Sequence, residues 1–449
     1  MNKNIDLKFQ KLKELLENTS ENQLQIKLSE NEYLKQTILY NKLGCVYFQS
    51  QLFEKAKIFL LKSLQIKEQK LPELTYSNIH MNLGNLYAQE RNYQKAIEHY
   101  LKVIEQSTFN LQNQNKTYEK YELSKQLNSF EAFVDSHTNL SVMYIQIGEK
   151  ENSIKYCLKT LELNPENIES KINLGDILRQ FGKQAEAIDM TWKCIESFSK
   201  QSLNREYKRP IQIDIQELNQ QNIKSKTNIN TNIINIICVK WGTRYDSEYV
   251  NKLYRGIKRN TTKQYFFYCF TDNNEGLDQN IIPENLQENW PKWWGKATLF
   301  SLESQDLQGD MNFYIDLDMI ITGNIDNLLE YQGNFAILNT GDIACEKQHK
   351  NGYNSSIIIW NKKCNQLNQI YNELKQNYNI ITKFIVRFDY WLEMNIQNAD
   401  FIQDLFPGQA SDYLKECQQQ LPQNTKIVCF PRKPKPEDYP SEWIKQYWI

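Results

Sequence analysis

One motif recurs four times in the first half of the chain and strongly limits how that half can fold. It combines a leucine, a small residue and a second large residue at a nearly constant spacing. The four copies are Tyr40-x-x-Leu43-Gly44-x-x-Tyr47, His80-x-x-Leu83-Gly84-x-x-Tyr87, Thr138-x-Leu140-Ser141-x-x-Tyr144 and Asn173-Leu174-Gly175-x-x-Leu178. Twelve residues after each small position stands another small residue, at Ala56, Ala96, Ser153 and Ala187. Small residues at fixed intervals allow two helices to cross closely, so the pattern predicts repeated antiparallel helix pairs.

The motif resembles the tetratricopeptide repeat, whose L-G-x-x-Y … A-x-x-x-F … P pattern builds such pairs. The last two copies are 34 residues apart, from Ser141 to Gly175, and Asn164-Pro165 marks the turn between them. The earlier spacings of 40 and 57 residues predict longer second helices or an inserted loop in the polar stretch 110–128. We predict an all-α repeat solenoid over residues 37–200, after one or two amphipathic helices or a cap over residues 1–36. A generic array of helical hairpins is the alternative.

Stacked repeats of this kind bury a continuous core and expose a concave groove that suits an extended peptide. The repeats therefore predict a protein or peptide partner. Three of the four histidines, His80, His99 and His137, fall in this part of the chain. Their positions in the repeat favour packing or surface roles over metal ligation.

Amino-acid composition limits the classes of partner and the cellular compartment that are expected for this chain. Lys and Arg number 53 against 54 Asp and Glu, so no overall basic charge favours nucleic acid. The nine cysteines are scattered without a C-x-x-C pair, which suits a reducing compartment better than disulfides or a zinc site. The amino terminus lacks an apolar signal core, and no apolar run approaches the ~18 residues of a transmembrane segment. We therefore expect a cytoplasmic protein.

Strand and helix patterns alternate in the second half. A polar segment at 201–231, rich in Asn, Gln and Lys, is predicted as a linker. Beyond it, three runs are typical of buried strands, Ile233–Val239, Tyr265–Phe270 and Met311–Ile315, and Tyr249–Ile257 between the first two is typical of a helix. This alternation predicts an α/β domain over 232–449 with a mostly parallel sheet.

Polar residues follow three of the predicted strands. They are Lys240–Arg244, Thr271-Asp272 and the pair Asp316 and Asp318. In parallel sheets ligands bind beyond the carboxyl ends of the strands, so these residues should share one edge. Side chains at i and i+2 of an extended segment point the same way, and two converging carboxylates suit Mg²⁺ or Mn²⁺. An Asx-type turn, with the carboxylates capping backbone amides, is the alternative.

The second half resembles a GT-A-fold glycosyltransferase, most similar to glycosyltransferase family 8 and its bacterial relatives. The motifs that carry the resemblance are Val239-Lys-Trp-Gly-Thr243, Cys269-Phe-Thr-Asp272, Trp294-x-Lys296, Tyr314-Ile-Asp-Leu-Asp318, Gly323-Asn-Ile-Asp326, Tyr353-Asn-Ser-Ser-Ile-Ile-Ile-Trp360 and Phe430-Pro-Arg-Lys-Pro-Lys-Pro436. The resemblance implies that Asp316 and Asp318 form a D-x-D motif. This motif would hold Mn²⁺ or Mg²⁺ against the diphosphate of a nucleotide-sugar donor, with UDP as the expected nucleotide.

The same resemblance implies roles for the remaining residues. Lys296 would reach the phosphates or the donor sugar, Asp389 would contact the sugar or the acceptor, and Asp316 would also lie near the ribose. A capping role is the alternative for Asp389. The other donor-binding residues would be Val239, Lys240, Trp241, Gly242, Thr243, Asp272, Asn354, Ser355, Arg432 and Lys433.

One position departs from the family pattern. The third metal ligand of the family is a histidine, and Pro431 stands in its place; His349 is the only histidine in this half. Water or a donor phosphate could complete the metal shell, Arg432 and Lys433 could hold the diphosphate, or metal affinity could be lost. A solvated surface loop is the alternative for this segment.

Three functions are consistent with these patterns. The first is a metal-dependent glycosyltransferase whose repeats recruit a protein partner or acceptor. The second is a repeat scaffold that carries a catalytically degenerate transferase domain. The third is an active transferase with a small glycan or glycolipid acceptor at a membrane surface.

Overall fold

The structure is a computed structural model that describes residues 30–64, 73–106, 120–225, 233–301, 307–341, 352–433, 435–438 and 442–449. It forms two compact units, Met1–Leu178 and Arg179–Ile449. Most of the predicted amino-terminal helices, residues 1–29, lie outside the described residues, as do His349 and residues 226–231 of the predicted linker. No helix in the described ranges is both long and apolar enough to cross a membrane.

Antiparallel helix pairs build the first unit, as the repeat predicts. The helices are α1 (Glu30–Gln49), α2 (Phe53–Leu64), α3 (Glu73–Gln89), α4 (Tyr93–Gln106), α5 (Lys120–Gln146), α6 (Lys150–Leu163) and α7 (Ile168–Gln180), whose last residues belong to the second unit. The small positions lie where the paired helices touch. A Cβ atom added to Gly84 would lie 2.5 Å from the Tyr100 ring, and one added to Gly44 would lie 2.5 Å from the Leu60 side chain.

The turns inside the repeats also share one geometry. A residue with a left-handed backbone stands seven positions after each small residue, at Gln51, Arg91, Gly148 and Gly182. In the described part of the predicted insertion, residues 120–128 are helical and belong to the 27-residue helix α5. Residues 110–119 of the predicted insertion lie outside the described residues.

Acid should destabilise the packing of α3 against α4 through His80 and His99, whose Nδ1 atoms are 2.7 Å apart. Burial lowers the pKa of His80 to about 3 and that of His99 to about 4, from ordinary values of 6.5. The unfolded chain therefore binds protons at a higher pH than the folded chain does, and the free energy of unfolding falls as the pH drops from about 6.5 towards 4. For His80 the loss at pH 5 is on the order of 2 kcal/mol.

Hydrogen exchange of α3 in the full chain, compared at pH 7 and pH 5 after correction for intrinsic rates, measures this loss. His99→Gln should reduce the pH dependence. An equal dependence in the variant and the parent would contradict this account.

A mixed seven-stranded sheet forms the centre of the second unit. Its strands are β2 (Ile234–Lys240), β3 (Tyr265–Thr271), β4 (Ile282–Asn285), β5 (Met311–Ile315), β7 (Phe335–Asn339), β8 (Tyr353–Asn361) and β10 (Asp400–Phe401), in the order β10-β7-β8-β5-β2-β3-β4. Only β8 runs antiparallel to its two neighbours, and the other four pairs are parallel. The predicted alternation of strands and helices is therefore confirmed at the level of a largely parallel, mixed sheet.

Smaller elements complete this unit. They are α8 (Gln184–Leu203), β1 (Ile213–Asp214), α9 (Ile215–Ser225), α10 (Ser247–Arg259), a 3₁₀ helix (Lys292–Phe300), β6 (Ile320–Ile321), α11 (Asp326–Leu329), a 3₁₀ turn (Asn365–Leu367), α12 (Asn368–Phe384), α13 (Phe388–Asn395), β9 (Ile396–Gln397), α14 (Ile402–Leu405), β11 (Ala410–Asp412), a π turn (Tyr413–Cys417), β12 (Ile427–Cys429), a 3₁₀ turn (Pro436–Asp438) and α15 (Glu442–Tyr447). The strands β1 and β9 pair with each other, and β11, β12 and β6 form a third sheet.

The large sheet is buried on both faces. Ile236 and Cys238 on β2 join one hydrophobic cluster, while Ile237 between them joins the other. Alternate residues of a strand face opposite sides, so a strand buried on both sides needs apolar residues at nearly every position. In β2 a buried exception is Asn235, whose side-chain amide donates to Asn312 Oδ1 on β5.

Helix α8 belongs to the second unit, although the repeat pattern assigns it to the predicted array at 37–200. Its Trp192 packs edge-on against Trp391 at a centroid distance of 5.8 Å, and Thr191 Oγ lies 2.9 Å from the Tyr390 hydroxyl. Tyr207, in the predicted linker 201–231, is buried and stacks on Trp192. The apolar face of α8 thus completes the core around α13, and the described part of the linker packs against that core.

Candidate functional site

The predicted site residues begin at the carboxyl ends of adjacent strands. After β2 the chain forms β3 and β4 on one side of β2, and then returns to form β5 on the other side. Such a reversal opens a crevice at the carboxyl ends of the strands on either side of it. Lys240 ends β2 and pairs in register with Thr271 of β3, and Asp316 directly follows β5. The sheet therefore brings the three predicted strand ends to one edge.

The loop after β2 is held by the end of β3. The Gly242 amide donates to Asp272 Oδ2 at 2.9 Å, and Gly242 has a φ of 62°. Lys240 Nζ donates to the Asn273 carbonyl at 3.0 Å. Asp272 and Lys240 therefore shape the Trp241–Thr243 loop, where Thr243 is exposed and Trp241 is half-buried, as is Val239 on the strand before it.

Asp316 is bound by a lysine and a tyrosine. Lys296 Nζ lies 2.8 Å from Asp316 Oδ1, and the Tyr314 hydroxyl donates to the same oxygen at 2.5 Å. The ammonium of Lys296 also donates to the carbonyl and the hydroxyl of Ser355, at 3.1 and 3.2 Å. Lys296 thus connects the end of β5 to the start of β8.

Asp318 has the same two kinds of partner. Lys435 Nζ lies 2.6 Å from Asp318 Oδ2, and the Tyr245 hydroxyl donates to that oxygen at 2.7 Å. Burial, with the nearby Asp318 charge, raises the pKa of Tyr245 far above its usual value, so this hydroxyl remains a donor. Asp318 lies in a turn after the strand, so the extended geometry assumed for the pair ends at Asp316. The side chains of both aspartates are bound by other side chains in the described residues, which differs from the backbone capping of an Asx turn.

The contacts of Asp316 and Asp318 with lysines leave little room for the predicted Mn²⁺ or Mg²⁺ ion to bind these carboxylates. Each carboxylate already has an ammonium group within 2.8 Å. Within the described ranges, no group of three or more His, Cys, Asp and Glu side chains could hold a metal. Two carboxylates that are each paired with a lysine do not fit a hard divalent ion, which needs several oxygen ligands. The ion stays a prediction from the sequence.

Helix α13 supports the start of β8. Asp389 Oδ1 accepts from the Ser355 amide at 2.8 Å, and Glu393 Oε1 accepts from the Tyr353 amide at 2.9 Å. Asn354, between these two residues, is buried and accepts from the Ser356 amide through its own side chain at 2.9 Å. Asp389 therefore positions Ser355, and Ser355 in turn positions Lys296.

The segment around Pro431 contributes one buried lysine and two exposed basic residues. Arg432 and Lys433 are exposed, whereas Lys435 is 8% exposed and reaches Asp318. The sequence interpretation therefore missed Lys435, which stands four residues after Pro431, the position at which the resemblance leads one to expect a histidine. It also missed Tyr314, although the i, i+2 rule that paired Asp316 with Asp318 applies to Tyr314 and Asp316 as well.

Glu393→Gln should stabilise the second unit at alkaline pH. Burial raises the pKa of Glu393 to about 7 from an ordinary 4.5. The folded chain holds this proton more tightly than the unfolded chain, so the free energy of unfolding declines as the pH rises from about 4.5 to 7. Glutamine keeps an oxygen for the Tyr353 amide without the charge, and should add on the order of 2–3 kcal/mol at pH 8 and almost nothing at pH 4.5.

Urea denaturation at both pH values, followed by tryptophan fluorescence, measures this difference. The exposed Glu442→Gln, on the terminal helix α15, is the matched control. A gain of equal size at pH 4.5 and pH 8 would rule out the titration of Glu393 as the cause.

Comparisons with known proteins address the first half of the chain. Tetratricopeptide repeat models match residues 38–70, 77–107 and 134–167. No curated protein sequence matches the chain. Solved structures with similarity include MamA, 20% identical over 37% of this chain and 81% of that chain, with a TM-score of 0.30. A second is YrrB, a TPR protein with an unusual peptide-binding site, 17% identical over 38% of this chain and 73% of that chain, with a TM-score of 0.28.

A third similar structure is BtubC from P. vanneervenii, 17% identical over 42% of this chain and 72% of that chain, with a TM-score of 0.33. The family matches coincide with the helix pairs α1/α2, α3/α4 and α5/α6 of the described structure. Residues 38–70, 77–107 and 134–167 of this chain therefore carry tetratricopeptide repeats, a class of helical scaffold that binds proteins and peptides.

Proposed function

We propose that residues 232–449 transfer a sugar from a nucleotide-diphosphate donor, with a UDP-sugar as the first candidate, and that the repeats recruit the protein acceptor or a partner. The observation that carries this proposal is the group of paired aspartates and lysines at the strand ends. Asp316 with Lys296 and Asp318 with Lys435 lie beside the reversal between β2 and β5, where open α/β sheets bind their ligands.

Sugar transfer needs positive groups near the departing diphosphate, and lysine side chains supply them at this edge of the sheet. When the bond to the anomeric carbon breaks, negative charge builds up on the departing nucleoside diphosphate. Positive groups fixed in advance stabilise that charge without having to reorganise. Lys296 and Lys435 are fixed by carboxylate partners, and Lys240 by a backbone carbonyl. Their side chains, together with the resemblance in sequence, support a diphosphate-binding role.

The compartment is part of the proposal. The cysteines in the described residues, Cys45, Cys157, Cys194, Cys238, Cys269, Cys364, Cys417 and Cys429, are free thiols, and Cys345 lies outside those residues. Free and mostly buried thiols are consistent with a reducing compartment, which supports a cytoplasmic location.

A scaffold with a catalytically degenerate domain is the second candidate. The same ion pairs favour it, because a lysine on each aspartate can serve the fold alone. Hydrolysis of a panel of nucleotide sugars, with Mn²⁺ and separately with EDTA, distinguishes the two functions. We expect one donor to be cleaved by the parent and not by Asp318→Asn. No hydrolysis and no donor-induced thermal shift under either condition would leave the scaffold as the function.

The acceptor class can be tested with the full chain. Peptide arrays and glycolipid vesicles, offered with the donor that is cleaved, separate a protein acceptor from a glycan acceptor at a membrane surface. Labelling of peptides alone would support the proposed role of the repeats, and labelling of vesicle lipid alone would contradict it.

A further inference from the structure

We infer that the Lys435 ammonium takes the place of a divalent cation against the donor diphosphate, so that this chain binds its donor without metal. The inference rests on the proposed function and concerns the same site. It assigns a binding role to a residue that the family resemblance alone does not.

Lys435 is held in place as a fixed charge. Its side chain and that of Asp318 are each 10% exposed, and its Nζ also donates to the Phe430 carbonyl. The backbone of Lys435 is fixed as well, because its amide donates to Asp438 Oδ2 at 2.8 Å and its carbonyl accepts from the Asp438 amide at 2.9 Å. The position of this ammonium is therefore set before any ligand binds.

The two lysines at the site differ in how many N–H donors remain for a ligand. An ammonium group has three N–H donors. Lys296 uses all three, on Asp316 and on two oxygens of Ser355. Lys435 has two acceptors in the described part of the chain, Asp318 and the Phe430 carbonyl. One N–H of Lys435 is thus left for an incoming anion, and a phosphate oxygen is a strong acceptor for it.

The charge balance also disfavours an additional metal ion. A divalent ion is attracted by uncompensated carboxylates, but each aspartate here is already paired with a positive group. An ion placed between them would face two ammonium charges in a poorly solvated site, where like charges repel strongly. The loop that supplies Lys435 is also the one in which Pro431 replaces the metal-binding histidine of the resembled family.

Isothermal titration of UDP into the full chain, in EDTA and then in Mn²⁺, tests the inference. The parent should bind UDP with the same affinity in both. Lys435→Met should lose about 10- to 100-fold in EDTA, the range for one charged hydrogen bond. Because this variant frees the Asp318 carboxylate, Mn²⁺ should restore part of its binding. Lys435→Arg, which keeps the charge, should bind in EDTA, and the exposed Lys445→Met is the matched control.

A direct measurement of the metal complements the titration. The electron paramagnetic resonance signal of free Mn²⁺ should be unchanged by the parent chain and attenuated by Lys435→Met. UDP binding by the parent that appears only with Mn²⁺ would overturn the inference and leave the proposed function standing. Equal binding of UDP by the parent and by Lys435→Met in EDTA would also overturn the inference and leave the proposed function standing. No UDP binding under either condition would overturn the proposed function and the inference together.

Discussion

Without any donor present, Lys435→Met should lower the free energy of unfolding of the second unit by about 3–5 kcal/mol. The Asp318 side chain is 10% exposed and would lose its cation, keeping the Tyr245 hydroxyl as its remaining described partner. An unpaired carboxylate in such a place has lost most of its hydration without compensation. Mn²⁺ should restore stability to this variant, because an ion that binds only the folded chain stabilises it.

Urea denaturation followed by tryptophan fluorescence reports on this unit alone, because all nine tryptophans of the chain lie at or beyond Trp192. The companion experiment is a double-mutant cycle. Asp318→Asn should also be destabilising, since it leaves the buried ammonium of Lys435 without a counter-charge. The double variant should recover most of the loss, because a neutral pair needs no buried counter-charge. Additive losses in the double variant would show that the two side chains do not depend on each other.

The second large effect is expected at Lys296. Lys296→Met should reduce the turnover of whichever nucleotide sugar proves to be the donor by about 10²- to 10³-fold, the range found when one preorganised electrostatic contact is removed. All three N–H donors of Lys296 are taken up by Asp316 and Ser355, so its positive charge is fixed without any ligand and would act on the developing charge through space. Methionine has a similar length and no charge.

The initial rate of UDP release at saturating donor measures this effect. The exposed Lys258→Met on α10 provides the control for the loss of one positive charge elsewhere on the same unit. Thermal unfolding of each variant, measured in parallel, separates a folded but inactive protein from an unfolded one. A folded Lys296→Met variant with a turnover within about three-fold of the parent would remove Lys296 from the catalytic machinery.

The local patterns predicted the elements well. The spacing of Gly44, Gly84 and Ser141 locates the helix crossings, because only a small side chain fits where Tyr100 or Leu60 comes close. Largely apolar runs likewise predicted β2, β3 and β5, since a strand that is buried on both faces cannot alternate. In each case the cause lies close to its effect along the chain, within the same strand or the same pair of helices.

Helix α8 shows that a local sequence pattern does not predict which part of the protein a helix packs against. Its repeat spacing is that of the array, yet Trp192 is buried against Trp391, nearly 200 residues further along the chain. Periodicity tells which face of a helix is apolar, but not which of several apolar surfaces will cover it.

The sequence by itself determined the repeat array, the strands and the position of polar residues at the strand ends. These follow from backbone geometry and the alternation of side chains. Only the tertiary structure decided that Asp318 pairs with Lys435, a residue 117 positions away. The reason is physical: charge pairing is specified by where folding places two groups in space, and the sequence gives no local sign of it.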